Sequence, residues 1–391
     1  MSNPVKLFEP LTIRQTTLPN RIVVSPLCQY SAVDGVAQPW HFAHLSSFAR
    51  GKSGLVFTEA TAVEARGRIT PQCLGIWNDA QADALAPVVE FIESMGCVPG
   101  MQLAHAGRKA STSSPFSKRG PVPLTESDAA EAGAPWQTVA PSPLPVADGW
   151  HVPAELDGDD LEEVKKAFVD AALRACDSGF RALELHMAHG YLLHSFLSPL
   201  ANWREDDYGG DLDGRMRYPL EIADAVRAAV PDGMPLFARI SAIDGREGGW
   251  SLEDSVEFSR RLATAGIDIV DCSSGGIGGA PRFRSDDDGK PLTRDSARAP
   301  GFQVPFSRAI REQAGIRTMA VGVIIDPRQA EEILQSGGAD LVALGRELMY
   351  DPFWPLRAAE ALGVDPDFRM WPAQYAWAID RRAQIKTLNE S

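Results

Sequence analysis

Apolar positions in this chain come mostly in short continuous runs rather than in strict alternation with polar ones. The runs are 21–25 (RIVVS), 54–59 (GLVFTE), 97–103 (CVPGMQL), 181–186 (RALELH), 235–241 (PLFARIS), 267–273 (IDIVDCS), 316–321 (IRTMAV) and 340–345 (DLVALG). Such runs predict strands covered on both faces. Between most of them the apolar spacing changes to that of amphipathic helices, over 80–95, 159–178, 216–230, 252–265 and 326–337. The helix from 159 opens with acidic residues and is followed by Gly179, as the helix dipole and C-cap preferences favour. The one from 326 opens Asp326-Pro327, an N-cap followed by proline in the first turn.

Alternating strands and helices imply a parallel sheet. Eight such units suit a closed (β/α)8 TIM barrel, an α/β fold. An open dinucleotide-binding sheet would carry a glycine-rich turn after its first strand. Here SPLCQY follows the first strand, and the GGIGGA run at 275–280 leads into PRFR rather than a helix. No linker divides the chain, so residues 1–391 are read as one domain with long loops after strands three and six. The first, 104–158, is placed as a lid over the catalytic face. The second is 275–302.

Charge narrows the partners. The 391 residues hold 38 Lys+Arg against 52 Asp+Glu, a net charge of −14. That balance argues against nucleic acid and against an anionic membrane surface. The run 187–203, free of Asp, Glu, Lys and Arg, contains histidines, serines, a proline and an asparagine, so no membrane span is expected. The N-terminus shows no signal peptide. The five cysteines form no CxxC pair, which speaks against a disulfide framework, a zinc ribbon or an iron–sulfur cluster. Together these readings point to a reduced, cytoplasmic protein.

Barrel chemistry gathers at the C-terminal ends of the strands. Strand four ends in HMAHGY, with His186, His189 and Tyr191. Two imidazoles can converge on one carbonyl oxygen, and a neighbouring tyrosine can supply a proton. Metal ligation by His186 and His189 is the other functional reading, although no carboxylate or third histidine stands at an adjacent strand end. Arg239 lies inside the apolar run PLFARIS and needs a partner, either a carboxylate in an ion pair or a bound anion or electron-rich ring. Gly322 and Gly345 with Arg346 fall after strands seven and eight, where barrels bind phosphate. A phosphorylated, flat cofactor meets these demands, and flavin mononucleotide (FMN) is such a molecule.

Six segments carry a resemblance to a known family: SPLCQY (25–30), TEAT (58–61), QLAHAGRK (102–109), HMAHGYLLHSFLSP (186–199), NWREDDYGG (202–210) and the AVG…GR pair at 320–322 and 345–346. In this order and spacing they resemble the old yellow enzymes, FMN-dependent ene-reductases. Cys28 is similar to the cysteine of their bacterial thermophilic-like subgroup. The resemblance implies that Ser25, Pro26, Leu27, Cys28, Ala60, Gln102 and Arg239 contact the flavin. It implies that Gly322, Val323, Gly345 and Arg346 hold its phosphate. His186 and His189 would bind the activating group of the substrate with help from Tyr30, and Tyr191 would donate a proton. Cys28 would tune the flavin, while Arg204 and Tyr208 would brace the loop after strand four. After YGG the family commonly reads S-x-E-N-R, whereas this chain has DLDGR at 211–215.

The implied activity is that of an NADPH dehydrogenase or ene-reductase. NADPH or NADH would reduce the flavin, which would then reduce the C=C bond of an α,β-unsaturated carbonyl or nitro compound. A homodimer or homotetramer is implied, with Trp371, Tyr375 or Trp377 completing a neighbouring subunit's site. A metal-dependent barrel hydrolase or lyase built on the histidine pair is the alternative.

Overall fold

The computed structural model describes residues 4–129, 133–278 and 298–390. The chain opens with an antiparallel hairpin, β1 (Leu11–Ile13) and β2 (Thr16–Leu18), with Leu11 opposite Leu18. The barrel strands follow as β3 (Ile22–Val24), β4 (Leu55–Ala62) and β5 (Val98–Ala104), then β8 (Ala182–Met187), β9 (Leu236–Ser241), β10 (Ile269–Ser273), β11 (Arg317–Val321) and β12 (Leu341–Leu344). Between β5 and β8 lie two short strands, β6 (Val139–Ala140) and β7 (Ala154–Glu155).

Among the described residues the eight strands β3–β5 and β8–β12 close a parallel barrel in chain order, with β12 pairing back to β3 through Val342 and Ile22. This bears out the (β/α)8 expectation, and all eight predicted strands are present. The reason is burial on both faces: every residue of β4, β5, β8, β9 and β10 is buried. Each of these strands has to be apolar or internally partnered along its whole length.

Phe57 and Phe237 meet edge to face inside the barrel, their ring centroids 5.4 Å apart. Ile13 and Leu18 of the hairpin join the same apolar cluster and plug the end opposite the strand C-termini. A register shift in β4 between Phe57 and Ala60 bends the strand as it reaches the upper end. Ala60, expected just past its strand, therefore lies within it.

The helices cover the outside. They are α1 (Pro39–Arg50), α2 (Asp79–Ser94), α3 (Gly158–Asp177), α4 (Leu192–Leu197), α5 (Leu212–Ala229), α6 (Leu252–Thr264), α7 (Val304–Ala314), α8 (Pro327–Gln335), α9 (Arg346–Tyr350), α10 (Trp354–Ala361) and α11 (Ala373–Glu390). The five predicted helices match α2, α3, α5, α6 and α8 to within a few residues. Asp157 caps α3, its Oδ1 accepting from Asp160 N at 2.9 Å, and Asp326 caps α8 ahead of Pro327. Among the described residues no helix is long and apolar enough to cross a membrane.

The segment 104–158 is more ordered than its proline content predicts. β6 and β7 pair in parallel, and Arg204 donates to Leu156 O at 2.6 Å and Pro141 O at 3.2 Å. Trp136 Nε1 donates to Arg66 O at 3.0 Å. Arg204 thus braces this segment as well as its own loop, where it pairs with Asp206 at 2.5 Å. Of the second long loop, residues 279–297 lie outside the described residues.

Candidate active site

The C-terminal end of the barrel opens into a cleft of about 410 Å³, within the range of small-molecule sites. It is lined by Ser25, Pro26 and Leu27 after β3, Arg239 from β9, Val321–Ile325 at and beyond the end of β11 and Ala343–Glu347 around the end of β12. Eight of the sequence-predicted cofactor contacts are brought together here: Ser25, Pro26, Leu27, Arg239, Gly322, Val323, Gly345 and Arg346. Gly322 has φ of +121°, and a Cβ there would lie 2.8 Å from Gln303 Nε2. Only glycine fits that turn. Val323 takes φ of +52°, a strained value for a β-branched residue that the cleft wall maintains.

Ala60 and Gln102 do not line this cleft. Ala60 faces a small void shared with Tyr191. Gln102 is buried, and its Nε2 donates to Glu184 Oε1 at 2.7 Å.

Arg239 has the ion-pair partner that its burial requires. Its Nε lies 3.2 Å from Asp271 Oδ2, and its Nη1 donates to Ser25 Oγ at 3.0 Å. It also borders the cleft, so the ion pair leaves the arginine in reach of a bound group. In the ladder Arg239 stands beside His186, which carries the site from the cleft to the histidine pair.

Hydrogen bonds set the tautomers of that pair. Ala188 N donates to His186 Nδ1 at 3.2 Å, which leaves the proton of a neutral imidazole on Nε2. His186 Nε2 is 3.3 Å from His189 Nδ1, and His189 Nε2 is 2.7 Å from Ser273 Oγ. Burial, followed by the field of Arg239, pushes both imidazoles well below their ordinary pKa. They are neutral donors at physiological pH. When Ser273 Oγ–H donates to His189 Nε2, His189 carries its proton on Nδ1. That state replaces the bond between the rings, in which His189 Nδ1 accepts from His186 Nε2–H, and offers two N–H donors to one oxygen placed between them.

Further contacts hold the pair in place. His189 has φ of +62°, and its backbone N donates to Ser241 Oγ at 2.9 Å. Lys109 Nζ donates to His189 O at 2.6 Å and also to Gly276 O, tying the loops after β8 and β10 together. It lies 5.6 Å from the centroid of the Tyr191 ring. Burial, with Arg108 nearby, lowers the Lys109 ammonium to about 8. Tyr191 packs edge-on to His186 at 5.0 Å, and burial raises its phenol well above 10, so it holds its proton. Ser241, Ser273 and Lys109 were not among the predicted site residues.

Cys28 is half-buried, and burial and Glu59 push its thiol up. It is a thiol rather than a thiolate, which disfavours a nucleophilic role. Tyr30 hydrogen-bonds this thiol, takes φ of +49°, and meets Phe116 of the lid edge-on at 5.9 Å. Trp371 stacks on Phe353 of its own chain at 5.5 Å, and Tyr375 OH accepts from Arg50 Nη1 at 2.9 Å. Trp377 remains exposed.

Residues 6–364 match the NADH:flavin oxidoreductase / NADH oxidase family. The chain belongs to this family. It is 43% identical over 360 residues to an NADPH dehydrogenase of Geobacillus sp. (strain WCH70), covering 92% of this chain and 95% of that protein. Against an NADPH dehydrogenase of Bacillus subtilis (strain 168) the identity is 42% over 362 residues, 92% of this chain and 96% of the other. The solved structure of morphinone reductase superposes with a TM-score of 0.71 at 26% identity, over 93% of this chain and 91% of that one. Membership bears out the resemblance to the old yellow enzymes. It brings FMN as cofactor and a reduced nicotinamide nucleotide as electron donor, and it displaces the metal-hydrolase alternative.

The residues present fit FMN. The cleft joins a glycine-lined turn and Arg346 at one side to a buried guanidinium at the other, as a phosphate joined to an electron-rich ring requires.

Proposed function

We propose that this flavin-dependent NADPH oxidoreductase reduces the C=C bond of activated alkenes: enones, enals, maleimides and nitroalkenes. The observation that carries the reading is the pair of neutral imidazoles 3.3 Å apart beside the protonated Tyr191. Gly322, Val323, Gly345 and Arg346 would hold the phosphate of FMN, and Ser25, Pro26, Leu27 and Arg239 its ring, with Cys28, Ala60 and Gln102 assigned to the ring by the family resemblance alone. Bound FMN supplies hydride transfer between the nicotinamide and the alkene.

The protein residues do the rest. His186 Nε2–H and His189 Nδ1–H donate to the carbonyl or nitro oxygen of the substrate, which draws electron density away from Cβ. Tyr30 closes over that group. Tyr191 Oη gives its proton to Cα, and the Lys109 ammonium near its ring favours the phenolate that results. The 104–158 segment excludes water from above, and residues 1–391 act as one unit. A cytoplasmic homodimer or homotetramer is the expected form, with exposed Trp377 directed to a neighbouring copy.

The test is anaerobic. NADPH should bleach the bound flavin, and 2-cyclohexenone should restore its colour. A flavin that bleaches but is reoxidised only by oxygen would overturn the alkene-reductase reading.

A further inference from the structure

Beneath the cleft the adjacent strands β8, β9 and β10 carry two buried carboxyls and one cation. Glu184 of β8 and Asp271 of β10 are both fully buried, and Arg239 of the intervening β9 is nearly so. Asp271 Oδ2 lies 3.2 Å from Arg239 Nε, and the two residues are direct ladder partners. Glu184 Oε1 accepts from Gln102 Nε2 at 2.7 Å. Glu184 Oε2 and both Asp271 oxygens have no hydrogen-bond partner. The groups acting on Glu184 are Asp271 from β10, Arg239 from β9 and Gln102 from β5. With Asp271 already paired to the one guanidinium, an ionised Glu184 would be a buried negative charge without compensation. A carboxyl in that position keeps its proton instead.

We propose that Glu184 and Asp271 hold one proton between them at neutral pH, and that this buried proton site keeps the charge of Arg239 available to the flavin ring. The second half rests on the placement of the ring against Arg239 in the proposed function. The first half rests on the burial of both carboxyls, the Asp271–Arg239 contact and the unpartnered Glu184 Oε2.

Asp271, adjacent to the guanidinium, is the member that ionises, and Glu184 carries the proton on Oε2. Burial, then the charge of Asp271, raises the Glu184 carboxyl to about 8, with Arg239 and Gln102 opposing. The pair titrates as a unit. Below about 8 the three groups sum to zero charge. Above it the pair carries two negative charges, outweighs Arg239, and disfavours added electron density in the cleft. Glu184 is thus a positioning residue for charge, and its ligand is the proton.

Infrared spectroscopy of the flavin-loaded protein tests the proton site. The wild type should show the carbonyl stretch of a protonated carboxyl at pH 7, sensitive to deuterium exchange and lost as the pH is raised through about 8. Glu184→Gln should lack the band. Asp271→Asn should lack it too at pH 7, because the one remaining carboxyl becomes the counter-ion of Arg239. A band that persists in Asp271→Asn, or its absence from the wild type, overturns the proposal. The wild-type titration remains decisive if either variant fails to fold.

The midpoint potential of the bound flavin tests the link to Arg239. It should fall more steeply with pH above about 8 than below in the wild type, and Glu184→Gln should show no such break. Identical slopes in both proteins overturn the link. A colourless protein that keeps the infrared band would sink the flavin placement and leave the proton site standing.

Discussion

Ser273 Oγ, 2.7 Å from His189 Nε2, is where the polarity of the histidine pair is decided. As an acceptor it leaves His189 with its proton on Nε2, turned away from the substrate. As a donor it moves that proton to Nδ1. Ser273→Ala removes this control while leaving both rings in place. It should lower kcat/KM for 2-cyclohexenone by about tenfold, and His186→Ala, which deletes a direct donor, by about 10²–10³. Equal losses in the two variants would show that the serine acts by something other than tautomer control.

Tyr191→Phe should spare reduction of the flavin by NADPH and slow its reoxidation by the enone by about 10²–10⁴, read by stopped flow. A slowed reductive half-reaction would remove Tyr191 from the proton-donor role. His186, His189 and Tyr191 were legible in the sequence because they lie within six residues on one strand end. Ser241, Ser273 and Lys109 come from other strands, and a lone serine or lysine at a strand end gives no signal until closure of the barrel brings it to the pair.

At the scale of elements, burial decides what could be read. The barrel strands are short and covered on both faces, so composition alone marks them. Helix α1, PWHFAHLSSFAR, has few charges and aromatics on several faces, and the apolar spacing does not single it out. The lid has no periodic pattern because its order comes from partners distant in sequence. Arg204 is the main one, holding Pro141 O and Leu156 O from below while paired with Asp206. Arg204→Ala would leave both carbonyls unpaired, at roughly 1–3 kcal/mol each if they stay buried. The lid should then open locally rather than the barrel unfold. Limited proteolysis should cut within 134–157 well below the temperature at which circular dichroism reports melting. Cleavage that only follows global melting would mean that other contacts hold the lid.

For the whole molecule, the −14 charge is spread over a surface that says little about the cleft, where Arg239 and Arg346 stand. One acidic residue has structural weight because it joins successive βα units. Glu64, just beyond β4, accepts from Arg66 Nε at 2.6 Å and lies 2.7 Å from the Nε2 of buried His105, just beyond β5. Arg66 continues to Asp160 in the first turn of α3 at 3.1 Å. Burial alone would raise the Glu64 carboxyl, but His105 and Arg66 outweigh it and hold the group at about 2, against an ordinary 4.5. A carboxylate depressed in the folded state adds stability above its unfolded pKa, and that stability is lost as pH falls toward the folded one. With its side chain 21% exposed, Glu64 should contribute on the order of 2–3 kcal/mol at neutral pH, more than half of it gone by about pH 3. Urea midpoints measured from pH 6 to pH 3 should therefore fall in the wild type and fall less steeply in Glu64→Gln, which starts lower. Parallel curves for the two proteins would show that the clamp is maintained by packing and that its charge contributes nothing to stability.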